Sequence, residues 1–261
     1  MADIYTTISP YNGDMFKDHF SGHANNYSRY RPDYPAALFE HLVALCDERQ
    51  MAWDCATGSG QAARMLAKHF GQVIASDASQ PQLQQAVPAS NVHYTAALAE
   101  ASGIATDCID LLTVAQSLHW FDFERFGAES RRVLKPGGVL AAWCYGLLEI
   151  DSKIDPLIEH FYTDTVGRYW PAERAHVDSA YRNITLPLPE LADARFHIEL
   201  RWDLDTLLGY VRTWSACQRC QGATGADPVK LLDEQLQDLW GERHHERDIR
   251  WPILLRAWRN A

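Results

Sequence analysis

Two glycines spaced two apart, Gly58 and Gly60, sit in the stretch AWDCATGSGQAARMLA (residues 52–67), which begins as an apolar strand and ends with helical spacing. Small residues in such a bend let the backbone pass close to a ligand, and the amides that open the following helix favour an anionic group. Further along, Asp77 ends the run VIASD, where its carboxylate could accept hydrogen bonds from a ribose diol. His119 and Trp120 form a third candidate group, in QSLHWFD. Their ring nitrogen and indole N–H could hold a carboxylate, or the imidazole could take a proton from an alcohol. Two other groups carry less. Cys217 and Cys220 make a C-x-x-C pair, but no second Cys/His pair stands at zinc spacing and the surrounding pattern is helical. His244 and His245 are adjacent, and adjacent side chains diverge, so the two do not make a metal site by themselves.

These residues need a frame, and the chain supplies one in a regular rhythm. Apolar residues at helical spacing predict a helix over 36–48 behind Pro35, then MAWDCA reads as a buried strand and 61–69 as a helix. QVIAS, VHYTAA, IDLLTVAQ and VLAAWCY follow as strands, with helices over 80–86 and 123–133 and a Pro136-Gly137-Gly138 turn before the fifth strand. Near-continuous apolar strands alternating with helices imply an α/β fold with a parallel sheet covered on both faces. Ligands bind such sheets beyond the carboxyl ends of the strands, usually at the first strand-to-helix turn, which here is the Gly58–Gly60 bend. After Tyr145 the rhythm breaks into a helical stretch over 152–167 and an aperiodic run rich in aromatics and prolines, expected to cover the site. A strand, FHIELRW, two helical segments over 204–214 and 229–239, and a closing strand, IRWPILLRAW, complete the chain.

The 261 residues, 47% hydrophobic and 22% charged, fit one globular domain, and no apolar run approaches the roughly 18 residues of a membrane span. A net charge of −10 opposes attraction to nucleic acid and to anionic membranes. The basic tail beginning ERHHERDIRW reads as a solvated turn leading into the last strand. The first ten residues have neither a basic start nor an apolar stretch, so the expected address is the cytoplasm, with all six cysteines reduced.

The glycines leave two nucleotides in competition. Gly58, Gly60 and Ala63 satisfy G-x-G-x-x-A, with Asp77 where an NAD site wants an acid. From Asp54, however, the chain reads D-x-A-x-G-x-G, one step from the D-x-G-x-G-x-G loop of S-adenosylmethionine-dependent methyltransferases. The loop DCATGSG, the acid in ASDAS, LAEASG, VAQSLHWFD and RRVLKPGG stand in that family's order, and over most of its first 145 residues the chain resembles a class I methyltransferase. HANNYSRYRPDYP, HWFD and LLGYVRTWSA resemble more narrowly the branch containing trans-aconitate methyltransferase.

The resemblance implies a Rossmann-like, doubly wound seven-stranded sheet whose last strand is antiparallel, with an inserted helical and aromatic cover over the active site. As a single domain over 1–261, its core would be residues 36–146, 195–202 and 246–259, covered by an N-terminal segment, 15–35, and by insertions 147–194 and 203–245. S-adenosyl-L-methionine would be the cofactor, leaving as S-adenosyl-L-homocysteine. Carried over by motif, its binding residues would be Asp54, Ala56, Thr57, Gly58, Gly60, Asp77, Ala78, Ala99, Glu100 and Gln116, with Tyr27 and Arg31 from the N-terminal segment. Ala56 replaces the usual glycine, at little cost if its φ is negative and with strain if it is positive. The acid often found before the AE pair is replaced by Leu98.

A sulfonium methyl needs chiefly positioning, and a carboxylate acceptor needs no base. His119 and Trp120, as catalytic residues, are therefore expected to hold the carboxylate of a small organic acid, the alternative being hydroxyl or nitrogen methylation with His119 as base. Phe161, Tyr162, Tyr169, Trp170, Tyr181, Tyr210 and Trp214 are candidates for an aromatic roof, and Arg182, Arg212 and Arg219 for its counter-charge. A nucleotide-binding module without turnover and an NAD oxidoreductase are the readings outside this class.

Overall fold

In a computed structural model the protein is described over residues 32–261. Its centre is a seven-stranded sheet in the order β3-β2-β1-β4-β5-β7-β6. The strands are β1 (Met51–Cys55), β2 (Gln72–Asp77), β3 (Val92–Ala96), β4 (Ile109–Ala115), β5 (Leu134–Tyr145), β6 (Ala194–Trp202) and β7 (Arg247–Arg259). The first five pair in parallel, and β7 lies between β5 and β6, antiparallel to both. The last strand thus runs as the resemblance implied, and strand order reverses between β1 and β4, directly over the bend after β1.

The first half follows the predicted rhythm with shorter helices: α1 (Ala36–Ala44), α2 (Gln61–Leu66), α3 (Gln80–Leu83) and α4 (Phe123–Val133). Helix α1 stops before Glu48 because the amides of Leu45 and Cys46 turn back to carbonyls three residues earlier, tightening its end. Asp122 caps α4 by accepting from the Arg125 amide at 3.1 Å. Strand β5 begins at Leu134, earlier than the predicted start after the Pro-Gly-Gly turn, and an irregularity in its pairing with β4 absorbs that turn. One apolar layer, with Leu38, Leu66, Leu111, Trp143 and Trp251, covers one face; Trp53, Leu112, Phe126, Leu140 and Tyr181 belong to the layer on the other.

The cover is more broken than its sequence suggests. The helix expected over 152–167 divides into α5 (Asp155–His160), a wider π turn (Phe161–Thr165) and a tight 3₁₀ turn (Gly167–Tyr169). The aperiodic stretch holds a short helix, α6 (Arg174–Asp178). Beyond β6, α7 (Leu204–Arg212) starts at an Asp203 cap, which accepts from the Thr206 amide at 2.8 Å. The chain then turns at Trp214 into α8 (Ser215–Thr224) and continues to α9 (Val229–Trp240). Among the described residues no helix is long and apolar enough to cross a membrane.

Candidate active site

The bend after β1 is held by bonds to its neighbours and by unusual backbone angles. The Thr57 amide donates to the Ser76 carbonyl at 2.9 Å, and the Gly60 amide closes a turn onto the Thr57 carbonyl at 2.9 Å. Ala56, Gly58 and Gly60 all have positive φ, at 55°, 57° and 82°. The open question about Ala56 is therefore answered on the strained side. A methyl group on Gly60 would enter the space of the Tyr94 phenol, so that position excludes a side chain on two grounds.

Two aspartates tie the bend to the sheet. Asp54 and Thr113 are partners across β1 and β4, which puts the Thr113 hydroxyl 2.7 Å from one Asp54 oxygen; the Thr57 hydroxyl donates to the other at 2.5 Å. Asp54 is 1% exposed. Burial pushes its pKa up to about 6, against the lowering effect of the two threonine bonds. It stands behind the loop and supports it. Asp77, at the tip of β2, accepts from the Gly58 and Ser79 amides at 2.8 Å each. A carboxylate at this position is the kind of group that accepts hydrogen bonds from a ligand's hydroxyls. Tyr34, Ala56, Thr57, Gly58, Asp77 and Gln116 line the resulting cleft, which has a volume of about 90 Å³.

Gln116 also lines a second cavity, of about 70 Å³, and so stands where the two meet. It follows β4 with a φ of 59°, its amide donates to the Trp143 carbonyl at 2.9 Å, and its side-chain Nε2 is buried with no partner among the described residues. An orphaned donor at that junction fits a bound group that brings an acceptor. Aromatic walls enclose the second cavity: Trp120, Tyr162, Trp170, Tyr210 and Trp214. Trp214 packs 5.7 Å from Tyr162 and 5.9 Å from Trp170, centroid to centroid.

Arg174, in the first turn of α6, is the one cation among the described residues that line this cavity apart from the titratable His119. Its Nε donates to the Tyr162 hydroxyl at 2.6 Å and to Asp178 at 3.2 Å, and its guanidinium carbon lies 4.7 Å from the Trp170 ring centroid. No hydrogen bond from a described residue engages its two terminal nitrogens. His119 sits in a 3₁₀ turn (Leu118–Trp120), with Nδ1 3.2 Å from the Tyr181 hydroxyl and its ring 4.7 Å from that of Trp120. Burial first, then the positive charges of Arg174 and His176, push its pKa down to about 3, so the ring is neutral across the physiological range.

The remaining sequence candidates are dispersed. Tyr27 and Arg31 lie outside the described residues. Ala78 separates Asp77 from Ser79, Ala99 is buried in the apolar layer with Trp53, and a Glu100 oxygen accepts from the Asp122 amide at 3.0 Å. The proposed counter-charges require correction: Arg182 and Arg219 are exposed, Arg212 pairs with Asp227 at 2.9 Å, and none of the three lines the cavity. Of the roof aromatics, Phe161 and Tyr181 are buried away from it and Tyr169 does not line it. Cys217 and Cys220 are buried thiols in α8, and His244 pairs with Glu242 at the surface. Sequence reasoning passed over Arg174, whose signal was its four-residue spacing from both Trp170 and Asp178 within an otherwise patternless stretch.

Comparison with known proteins agrees with this geometry. Residues 53–142 match the Methyltransf_11 family, a methyltransferase domain. A Dictyostelium discoideum protein that carries the name methyltransferase is 35% identical over 225 residues, covering 85% of this chain and 86% of its own. A solved structure from Anaeromyxobacter dehalogenans, described as a type II methyltransferase, aligns with a TM-score of 0.83 at 42% identity, over 88% of this chain and 98% of that one. A Bacillus halodurans structure described as a methyltransferase shares the fold alone, with a TM-score of 0.51 at 18% identity over 86% of this chain and 98% of that one.

Proposed function

This chain belongs to the class I S-adenosylmethionine-dependent methyltransferases, and we propose that its methyl acceptor is a carboxylate oxygen of a small organic acid. The observation that carries the reading is Arg174: a guanidinium whose two terminal nitrogens have no hydrogen-bond partner among the described residues, in an aromatic-walled cavity that meets the loop cleft at Gln116.

The residues that would hold the cofactor are the loop from Ala56 to Gly58, the Asp77 carboxylate and the Gln116 amide. Bound there, S-adenosylmethionine would supply an activated sulfonium methyl for in-line transfer to an oxygen nucleophile, with S-adenosylhomocysteine as the leaving group. Everything else falls to the chain's own groups. Arg174 offers a planar pair of N–H donors of the kind that matches a carboxylate and fixes its orientation. The walls of Trp170, Tyr162 and Trp214 exclude water, which strengthens that pairing and holds the nucleophile for attack. A carboxylate is ionised at neutral pH and asks for no base. His119, with a pKa near 3, is a poor proton acceptor for an alcohol but a good neutral hydrogen-bond partner for an acid.

The test is turnover of purified protein with S-adenosylmethionine against a panel of small acids, alcohols and amines, with products read by mass spectrometry. Methyl esters, recognised by their cleavage in mild alkali, are the expected products; ethers or N-methyl products from alcohols or amines, with acids inert, overturn the reading. His119→Gln supplies the second measurement. It should raise KM for the acid with S-adenosylhomocysteine affinity unchanged, whereas loss of the basic limb of the pH–rate profile would assign His119 to proton removal.

A further inference from the structure

Tyr181 lies directly behind His119, in a backbone conformation that side chains rarely adopt. Ala180 and Tyr181 have φ of 56° and 61°, two consecutive left-handed residues without a glycine. Such strain persists only where the surroundings over-determine it. Here the Ala180 and Tyr181 amides bond back to Val177 and His176 carbonyls at 2.8 and 2.7 Å, ending α6. Arg256, itself buried and paired with Glu190, donates to the carbonyls of both Tyr181 and Ile184. The result of this clamp is a fully buried phenol whose ring stacks on His119 with centroids 6.1 Å apart and an interplanar angle of 28°.

From this arrangement we infer that Tyr181 is a positioning residue that fixes His119 in the tautomer protonated on Nε2, so that the ring presents an N–H donor to the acceptor cavity. The Tyr181 oxygen accepts a backbone hydrogen bond from Leu118. A buried phenol still needs an acceptor for its own proton, and the His119 Nδ1 at 3.2 Å is the one its described hydrogen bonds provide. With Nδ1 accepting and the ring neutral, the proton resides on Nε2, which has no partner among the described residues. His119 and Arg174 line the same cavity, so in this tautomer the ring offers an N–H donor to an acceptor's oxygen there. A hydroxyl or amine nucleophile would meet the wrong tautomer for proton removal. Assigning that N–H to a carboxylate rests on the proposed function; the tautomer itself does not.

The experiment uses protein labelled with ¹⁵N-histidine and saturated with S-adenosylhomocysteine, read by long-range ¹H–¹⁵N correlation, with His119 assigned by the signal lost in His119→Gln. In the unmodified protein Nδ1 should appear as the unprotonated, pyridine-like nitrogen and Nε2 as the protonated one. In Tyr181→Phe, which keeps the ring and removes only the hydroxyl, the two signals should move toward a tautomer average. For an acid found by screening, its KM should rise roughly five- to tenfold, the size of one neutral hydrogen bond, with S-adenosylhomocysteine affinity unchanged. A proton on Nδ1 in the unmodified protein, or spectra identical in the two proteins, overturns the inference. Should Tyr181→Phe fail to fold, the unmodified spectrum alone decides. If no acid is methylated while the spectra behave as expected, the carboxylate reading fails and the positioning role stands.

Discussion

Replacing Ala56 by glycine should stabilise this protein, against the usual cost of adding a glycine. Ala56 has a φ of +55°, in the left-handed region where a non-glycine residue pays roughly 1–2 kcal/mol for the approach of its Cβ to the backbone. Glycine removes that penalty but enlarges the unfolded ensemble, a loss of about 0.4–1 kcal/mol. The balance favours Ala56→Gly by about 0.5–1 kcal/mol, which for a protein of this size raises Tm by roughly 1–4 °C. Scanning calorimetry of the two proteins at equal concentration reads the shift, and titration with S-adenosylhomocysteine should give dissociation constants within about threefold of each other, since the backbone path is unchanged. A Tm that falls would show that the methyl group packs productively or that the residue does not hold a left-handed φ, and the strain argument would be wrong.

Arg174→Gln should weaken binding of an acidic acceptor by about 1.5–3 kcal/mol, the range for hydrogen bonds to a charged group, while leaving S-adenosylhomocysteine binding untouched; parallel losses in both would place Arg174 outside the acceptor cavity's function. Asp77→Ala should cost about 1.5–3 kcal/mol of S-adenosylhomocysteine affinity and also lower Tm, because the same carboxylate anchors the Gly58 and Ser79 amides; an unchanged dissociation constant in calorimetric titration removes it from the cofactor site. Asp54 has a raised folded pKa, so its contribution to stability is complete below its unfolded value of 3.8 and is lost as pH rises through about 6. Between pH 4 and 6 the protein should therefore lose up to about 3 kcal/mol relative to Asp54→Asn, and denaturant midpoints that run parallel across that window contradict a buried, ionising Asp54.

How much of this could be read in advance depended on the range of the interactions involved. The alternation of strands and helices, the bend at Gly58 and Gly60, and Asp77 at a strand end all follow from neighbours in the chain: side-chain period, backbone sterics and the length of an apolar run. The helix over 152–167 divides into a helix, a wide turn and a tight turn although its buried residues Ile154, Ile158, Phe161 and Val166 all join one apolar layer, so the apolar pattern marked burial but not the path of the backbone. Arginine choice failed for a related reason. Arg174 and Arg182 carry the same chemistry and stand eight residues apart, yet one lines the cavity and the other faces solvent.

The amino-acid sequence by itself determined the α/β class, the place of the nucleotide bend and the pairing of His119 with Trp120, because each is written in residues close together along the chain. Only the tertiary structure decided the sign of φ at Ala56, the meeting of two cavities at Gln116, the place of Arg174 in the wall of one of them and the phenol behind His119. Tyr181 and Arg256 illustrate the division: 75 positions separate them, and the clamp that holds a strained turn against His119 exists only when β7 has paired into the sheet. Contacts of that separation are set by packing the whole sheet and its cover, a balance that no local pattern encodes.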